Sequence, residues 1–242
     1  MKIVNPCLMT IGLLTSCLIT RAQDADSLLN KYIDAIGGKD KISSVTSVIT
    51  QASTDVMGNE NNTTVTLLNG KGYRSESDNN GQKYIQCFND KGGWMVNPYS
   101  GSSDPQPMSA DQYKDGKIAM DFGGELFDAT SKGNKIELEG TEKIGQAETY
   151  KLKVTTPEGV ALTYYLDSAT DYVVRMVSPG DMMGQPIDLI FNFSDYKKTD
   201  FGLMMPFKTE VEYGDQFSLT IQVKQIDFNK PVDPSIFDMP KS

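Results

Sequence analysis

The side chains that most often perform acid–base or metal chemistry are scarce in this chain. It contains no histidine among its 242 residues, although histidine is the commonest metal ligand and general base near neutral pH. Two methionine pairs, within residues 181–183 and 203–205, resemble a soft-metal cluster, because thioethers bind Cu(I). Methionine also fills irregular apolar cores, and in the absence of histidine we favour that role. We therefore expect neither a metal nor a cofactor.

Paired carboxylates are the next candidates for catalysis. Glu137 and Glu139, and likewise Glu210 and Glu212, are two residues apart, so each pair shares one face of a strand. This spacing is typical of a solvated outer face, whereas catalytic pairs need opposed positions. Nucleophile-elbow, P-loop and dinucleotide motifs are all absent. These observations favour a binding protein over an enzyme.

The N-terminus has the pattern of an export leader. The apolar run 11–19 is too short to span a membrane and has the length of a secretory core. We predict that residues 1–22 are a signal peptide cleaved after Ala22, which leaves residues 23–242 as a single domain in the periplasm. The alternative is a lipobox ending at Cys17, whose acylation would produce an outer-membrane lipoprotein. We favour cleavage after Ala22 because the apolar run continues past Cys17.

Cysteine usage and charge restrict the partners. Cleavage after Ala22 leaves Cys87 as the only cysteine, so we predict no internal disulfide. Cys87 lies in an apolar segment and is expected to be a buried small residue. The formal net charge of −9 disfavours nucleic acid and anionic membrane surfaces as partners. We expect a monomer.

The remaining chain has a short helix followed by strand-like alternation. Apolar residues recur at helical spacing in 27–36, Gly37-Gly38 ends this helix, and 39–44 form one more turn. From residue 45 the period is two, with Gly, Asn and Asp at the turns. About eleven to twelve strands of an antiparallel meander are predicted. They cover residues 48–56, 63–68, 72–77, 82–88, 93–97, 135–139, 149–155, 160–167, 172–177, 188–194, 205–213 and 218–227.

Strand alternation is interrupted between residues 98 and 132. Ser109 is a suitable N-cap for a short helix over 110–120. Two interpretations remain open: a flap that moves, or a crossover that simply closes the core. The apolar side chains predicted to line this lid or the facing concave sheet are Tyr113, Ile118, Met120, Phe122, Phe127, Ile187, Leu189, Phe191, Phe193 and Phe207.

Several segments carry a family resemblance. They are KYIDAIGGKDK at 31–41, YYLD at 164–167, VVRM at 173–176, FSDYKK at 193–198, GLMMPFK at 202–208 and VDPSIFDMP at 232–240. Together they resemble the LolA-like outer-membrane lipoprotein-sorting proteins, of the type common in Bacteroidetes. The resemblance implies a mainly β fold, a half-open antiparallel β-barrel covered by helices, as in LolA, LppX and RseB.

The resemblance also implies a function. In LolA the apolar cup shields lipoprotein acyl chains, so we expect a non-catalytic periplasmic carrier of a lipid or lipoprotein acyl chain. Envelope proteins that traffic lipoproteins would then be its partners. Two alternatives remain: a protein-binding sensor or scaffold of the RseB type, and an enzyme that acts on a lipidic substrate.

Overall fold

The computed structural model describes residues 16–240 with the exception of 57, 80 and 183. Three α-helices are present in this part of the chain, α1 (Ser16–Ala35), α2 (Lys39–Ser43) and α3 (Ala110–Gly116). Three 3-10 turns cover Pro98–Ser100, Lys117–Met120 and Pro234–Phe237. None of the helices described is long and apolar enough to cross a membrane.

Helix α1 begins at Ser16, well before the predicted start near residue 27. The segment from Ser16 to Ile36 contains neither glycine nor proline, so nothing interrupts the helix upstream of the expected cap. Part of the predicted leader, residues 1–15, lies outside the described residues. The predicted end is confirmed, because Gly37 and Gly38 follow the helix with φ values of 131° and 89°.

Thirteen strands form the rest of the fold within the described residues. They are β1 (Ser47–Val56), β2 (Asn59–Leu68), β3 (Gly72–Asn79), β4 (Gln82–Asn89), β5 (Gly92–Val96), β6 (Gln106–Pro107), β7 (Lys135–Ile144), β8 (Ala147–Thr155), β9 (Ala161–Asp167), β10 (Val173–Met182), β11 (Gln185–Lys198), β12 (Met204–Tyr213) and β13 (Phe217–Phe228). The predicted strands are all present, and the additional one is the two-residue β6.

One curved, unclosed antiparallel sheet contains all of these strands. Its order is β6-β5-β4-β3-β2-β1-β13-β12-β11-β10-β9-β8-β7, so the first and last strands are neighbours at its centre. Successive hairpins extend outward from this pair on both sides. The edges of the sheet are therefore β6 and β7, which are consecutive in the chain. The predicted half-open antiparallel architecture is confirmed.

The segment between β6 and β7 has to connect the two edges of the sheet. It contains α3, the turn Lys117–Met120 and further turns up to residue 133. Leu126 and Phe127 are buried in this segment, at 3% and 9% exposure, and each packs into a core cluster on the concave face. We call residues 108–134 the crossover. It lies over the cup.

Two apolar clusters occupy the concave face. The α1 cluster packs Ala25 and Leu28 of α1 and Leu126 of the crossover against buried residues of β8, β9 and β10. The α2 cluster packs Ile42 and Val45 against Val48, Leu67, Phe127 and Leu203. Burial of these side chains removes apolar area from water, which is the main favourable term in folding. Both helices are thereby fixed over the cup.

A third cluster lies on the convex face, beneath the C-terminal tail. Phe237 is buried there at 2% exposure, beside Cys87 and Trp94. Its carbonyl oxygen accepts hydrogen bonds from Trp94 Nε1 at 3.0 Å and Asn89 Nδ2 at 2.9 Å. A Cβ on Gly72 would lie 2.5 Å from the Phe237 ring. Trp94 is an anchor of this cluster, and the predicted burial of Cys87 is confirmed at 0% exposure.

Candidate functional site

A cavity of about 160 Å³ remains between the sheet, the helices and the crossover. Its wall combines aliphatic, aromatic and thioether side chains with three phenols. The residues that line it are Tyr32, Ile36, Ile42, Phe122, Gly123, Tyr164, Val173, Phe193, Tyr196, Leu203, Met204, Met205 and Pro206. None of these carries a formal charge, so the wall suits an uncharged, largely apolar occupant.

Each side of the cavity comes from a different element. Tyr32 and Ile36 are four residues apart on and just after α1, so they face the cup together. Ile42 of α2 closes one end of the cavity. Residues 203–206 approach from the start of β12, where the amide of Met204 donates to the carbonyl oxygen of Ile36 at 2.9 Å. This bond ties the end of α1 directly to the cavity wall.

The crossover supplies the cover. Phe122 lines the cavity, and its ring meets Phe228 of β13 edge-to-face with centroids 5.8 Å apart. Its backbone amide donates to Asn69 Oδ1 at 2.9 Å. A Cβ on the adjoining Gly123 would lie 2.6 Å from the Phe127 ring, so the turn needs glycine there. Phe122 is thus held over the cavity by contacts on both sides.

Strand β11 contributes two residues that ordinary alternation would place on opposite faces. Phe193 and Tyr196 are three residues apart, and both line the cavity. Between them Asp195 adopts a positive φ of 54°, and the pairing with β12 omits Asp195 and Phe207. This local departure from extended geometry interrupts the two-residue alternation. The kink brings the Tyr196 phenol to the cup.

The three phenols are neutral at physiological pH. Burial raises the pKa of Tyr32 to about 12. Burial, followed by the nearby Tyr32, also raises the pKa of Tyr164 and of Tyr196, with a smaller contribution from Glu125 at Tyr164. The Tyr196 hydroxyl donates to the Val173 carbonyl oxygen at 2.6 Å. The cavity therefore offers hydrogen-bonding groups without charge.

An apolar row leads from the cavity along β11. It runs from Phe193 through Phe191 and Leu189 to Ile187, all half-buried, and spans about 20 Å at the usual strand rise. The Phe191 and Phe193 rings are stacked with centroids 6.4 Å apart. Cross-strand partners extend the row sideways: Phe191 pairs with Val211, which pairs with Leu219. We call these four β11 residues the β11 row.

The predicted site residues fall into separate places. Phe122 and Phe193 line the cavity, and Ile187, Leu189 and Phe191 complete the β11 row. Phe127 is buried in the α2 cluster, and Ile118 packs against the α1 cluster.

The other three predicted residues, Tyr113, Met120 and Phe207, belong neither to the cavity wall nor to the β11 row nor to the two concave-face clusters. The Tyr113 hydroxyl donates to the Asn89 carbonyl oxygen at 2.8 Å, and the Met120 carbonyl oxygen accepts from the Gly70 amide at 2.7 Å. Phe207 lies beneath the Lys197 ammonium, 5.0 Å from its ring centroid. Tyr113 and Met120 thus tie the crossover to β4 and to the β2–β3 turn, and Phe207 packs with Lys197 of the neighbouring strand β11.

Sequence reasoning missed most of the cavity wall. Tyr32 lies in the predicted helix, Tyr164 in a predicted strand and Tyr196 in a segment of family resemblance, and none of the three is among the predicted site residues. Met204 and Met205 were considered as a metal pair, yet they line the cavity, and the described residues contain no cluster of three or more His, Cys, Asp or Glu side chains. The clearest available signal was the dense run of aromatic and thioether residues at 193–207.

Ion pairs fasten the crossover to its surroundings. Lys39 of α2 contacts Asp128 at 2.6 Å, and Lys117 contacts Glu158 of the β8–β9 loop at 2.9 Å. Within the crossover, Lys132 pairs with Asp121 and also donates to the Gly124 carbonyl oxygen at 2.5 Å. Ion pairs as exposed as these contribute little individually. These polar contacts therefore add little to the anchoring that the buried side chains of Leu126 and Phe127 provide.

Comparison with known proteins places this geometry among solved folds. No protein-family model and no curated protein sequence matches the chain. The LolA superfamily protein NE2245 from Nitrosomonas europaea aligns with 88% of this chain and 97% of its own, at 13% identity and a TM-score of 0.56. A domain from Vibrio parahaemolyticus, assigned to outer membrane lipoprotein sorting, gives the same four values. A DUF1329 family protein from Desulfovibrio piger reaches a TM-score of 0.51 at 14% identity, with the same coverage. The chain thus has the LolA-like fold that its sequence resemblance implied.

Proposed function

We propose that this protein is a non-catalytic envelope carrier that holds an acyl chain of a lipid or lipoprotein between the curved sheet and the crossover. The observation that carries the proposal is the uncharged cavity, which continues into the apolar β11 row. The LolA-like fold, and the assignment of the Vibrio parahaemolyticus domain to lipoprotein sorting, support the same conclusion. We further propose that the protein is exported to the periplasm.

The energetics support burial as the binding force. Each methylene transferred from water contributes about 0.8 kcal/mol, so ten methylenes contribute ~8 kcal/mol before the costs of association. Those costs are at least ~4 kcal/mol, and the difference still corresponds to measurable binding. The β11 row, at about 20 Å, is long enough for one acyl chain of ~15 Å, because the ~30 Å hydrocarbon core of a bilayer contains two chains end to end.

The size of the cavity requires the crossover to move. A volume of about 160 Å³ is close to that of an engineered cavity that accommodates benzene, ~150 Å³. Only the end of an acyl chain fits into such a space. The remainder has to lie along the β11 row, under a crossover displaced from the position described above. The exposed ion pairs of the crossover would resist such an opening only weakly, so its main cost is any exposure of the buried Leu126 and Phe127.

Two measurements test the carrier function. Mass spectrometry of lipids extracted from protein purified without detergent should find acyl lipid in near-stoichiometric amount. Amide exchange in residues 110–129 should be faster than in 172–177 for the empty protein, and should slow when lipid is added. Protein without bound lipid, combined with exchange that no lipid alters, would refute the proposal.

A second candidate function rests on the convex face. An open groove of about 590 Å³ runs between β2, β3 and the C-terminal tail. Ile236 and Met239, which are 36% and 44% exposed, line it beside Arg74 and Glu76. Exposed apolar side chains of this kind favour contact with another protein. A scaffold using this groove would bind a protein partner whether or not acyl lipid was present, which separates it from the carrier.

A further inference from the structure

The phenols of the cavity differ in their hydrogen bonds. Tyr196 donates to the Val173 carbonyl oxygen, and the Tyr164 phenol lies within hydrogen-bonding reach of the Glu125 backbone. Among residues 16–240 with their three gaps, by contrast, the structure provides no acceptor for the Tyr32 hydroxyl. One neutral donor therefore remains available at the wall of an otherwise apolar space.

Tyr32 cannot easily turn away to find an acceptor elsewhere. It lies in the last turn of α1, and its ring packs against the α1 cluster, which includes Leu28 and Tyr164. Tyr32 is half-buried, and Asn134 Oδ1 is the one fully buried side-chain atom without a partner in the described part of the chain, so the Tyr32 hydroxyl is accessible rather than sealed in the core. An occupant that brings an acceptor to this point would gain a hydrogen bond in addition to burying its own apolar surface.

Charge restricts the kind of acceptor. The cavity-lining residues include no lysine or arginine that could pair with an anion. Glu125 is buried close to Tyr164, where it would repel an anion, and the chain carries a formal net charge of −9. Bringing a carboxylate or phosphate into this space without a cation is strongly unfavourable. The acceptor should therefore be uncharged.

We propose that the cavity binds the uncharged carbonyl end of an acyl ester or amide, with the Tyr32 hydroxyl donating a hydrogen bond to the acyl carbonyl oxygen. The proposal rests on the carrier function and specifies its ligand class: neutral acyl esters and amides are selected over free fatty acids. The chain then extends from the carbonyl along the β11 row. The selection depends on one hydrogen bond and on the absence of a cation.

Three probes with the same chain length test this selection by calorimetry at pH 8. Monolauroylglycerol has the ester carbonyl, 1-O-dodecylglycerol lacks it, and laurate replaces it with an anion. We expect the ester to bind roughly five- to tenfold more tightly than the ether, as one net hydrogen bond provides, and laurate to bind most weakly.

Tyr32→Phe should raise the Kd of the ester to that of the ether and leave the Kd of the ether unchanged. The control is Tyr165→Phe, because Tyr165 is a buried tyrosine, at 7% exposure, on the opposite face of β9 to Tyr164 and therefore away from the cavity. This variant should leave all three Kd values unchanged. Urea unfolding of both variants verifies that they are folded.

The outcomes separate this inference from the carrier proposal. Equal affinity for ester and ether in the unmodified protein, or binding of laurate as tight as that of the ester, would overturn the inference while leaving the carrier function standing. Equal loss of ester and ether binding in Tyr32→Phe would also overturn it, since the phenol would then act only through packing. Failure of all three probes to bind would overturn both proposals.

Discussion

Phe122 is the residue at which the movable crossover can be tested most sharply. It contacts both the cavity and the Phe228 ring, and it is half-buried. Truncating a fully buried phenylalanine costs ~3–5 kcal/mol, so we expect Phe122→Ala to lower the free energy of unfolding by about 2 kcal/mol. The same contacts are lost when the crossover opens, so the substitution destabilises the closed state relative to the open state.

This shift has a kinetic consequence. A change of about 2 kcal/mol raises the open population roughly thirtyfold. If acyl ligands enter only through the open state, Phe122→Ala should increase the association rate of a fluorescent acyl probe by up to that factor. Stopped-flow fluorescence measures the rate, and urea unfolding measures the stability.

Phe201 provides the matched control. Its ring stacks on the same Phe228 ring at 4.8 Å, it is half-buried, and it does not line the cavity. Phe201→Ala should reduce stability by a similar amount without accelerating association. If both variants lose stability and neither binds the probe faster, the crossover is a fixed part of the core and the opening mechanism is wrong.

Three further outcomes are expected. Phe191→Ala should lose about 2 kcal/mol of stability, because the ring is half-buried, and should retain less acyl lipid in mass spectrometry; severe destabilisation with unchanged retention would make this residue ordinary core. The contribution of Tyr32 to the free energy of unfolding should be constant below pH 10 and should fall between pH 10 and about 12, since the unfolded chain loses the Tyr32 proton while the folded protein keeps it. In urea titrations at pH 9 and 11, Tyr32→Phe should therefore show a smaller decrease than the unmodified protein, and an equal decrease would contradict the assigned pKa. Phe237→Ala should cost ~3–5 kcal/mol and shift the emission of Trp94, the single tryptophan, to longer wavelength; unchanged emission would mean that the tail does not shield it.

Local patterns predicted the strands well because alternation is a direct consequence of strand geometry. The turn from Asn69 to Lys71 and the alternating segment 217–223 illustrate this, since each needs only neighbouring residues to be interpreted. The pairing of β1 with β13 joins the two ends of the domain, and no local signal specifies such a contact. For the same reason the path of the crossover from one sheet edge to the other became evident only in the folded chain.

The cavity wall was harder to predict than the fold. Phe122 and Phe193 were identified because bulky apolar residues on predicted elements tend to share a face. Tyr196 was missed because strict alternation places it opposite Phe193, and the positive φ of Asp195 that cancels this rule has no reliable sequence signature. Tyr32 and Tyr164 fit the apolar positions of their helix and strand. The sequence pattern does not show which groups their hydroxyls face in the folded protein, so it gives no sign of their place in the cavity wall.

The most direct test of the central claim is the location of a bound acyl chain. A monoacylglycerol with a photoreactive diazirine in its acyl chain, cross-linked to the full-length protein and mapped by peptide mass spectrometry, reports this location. Our account predicts cross-links within residues 116–130 and 187–206, which contain the crossover, the β11 row and the β12 side of the cavity. Cross-links confined to residues 232–240 on the convex face would contradict it.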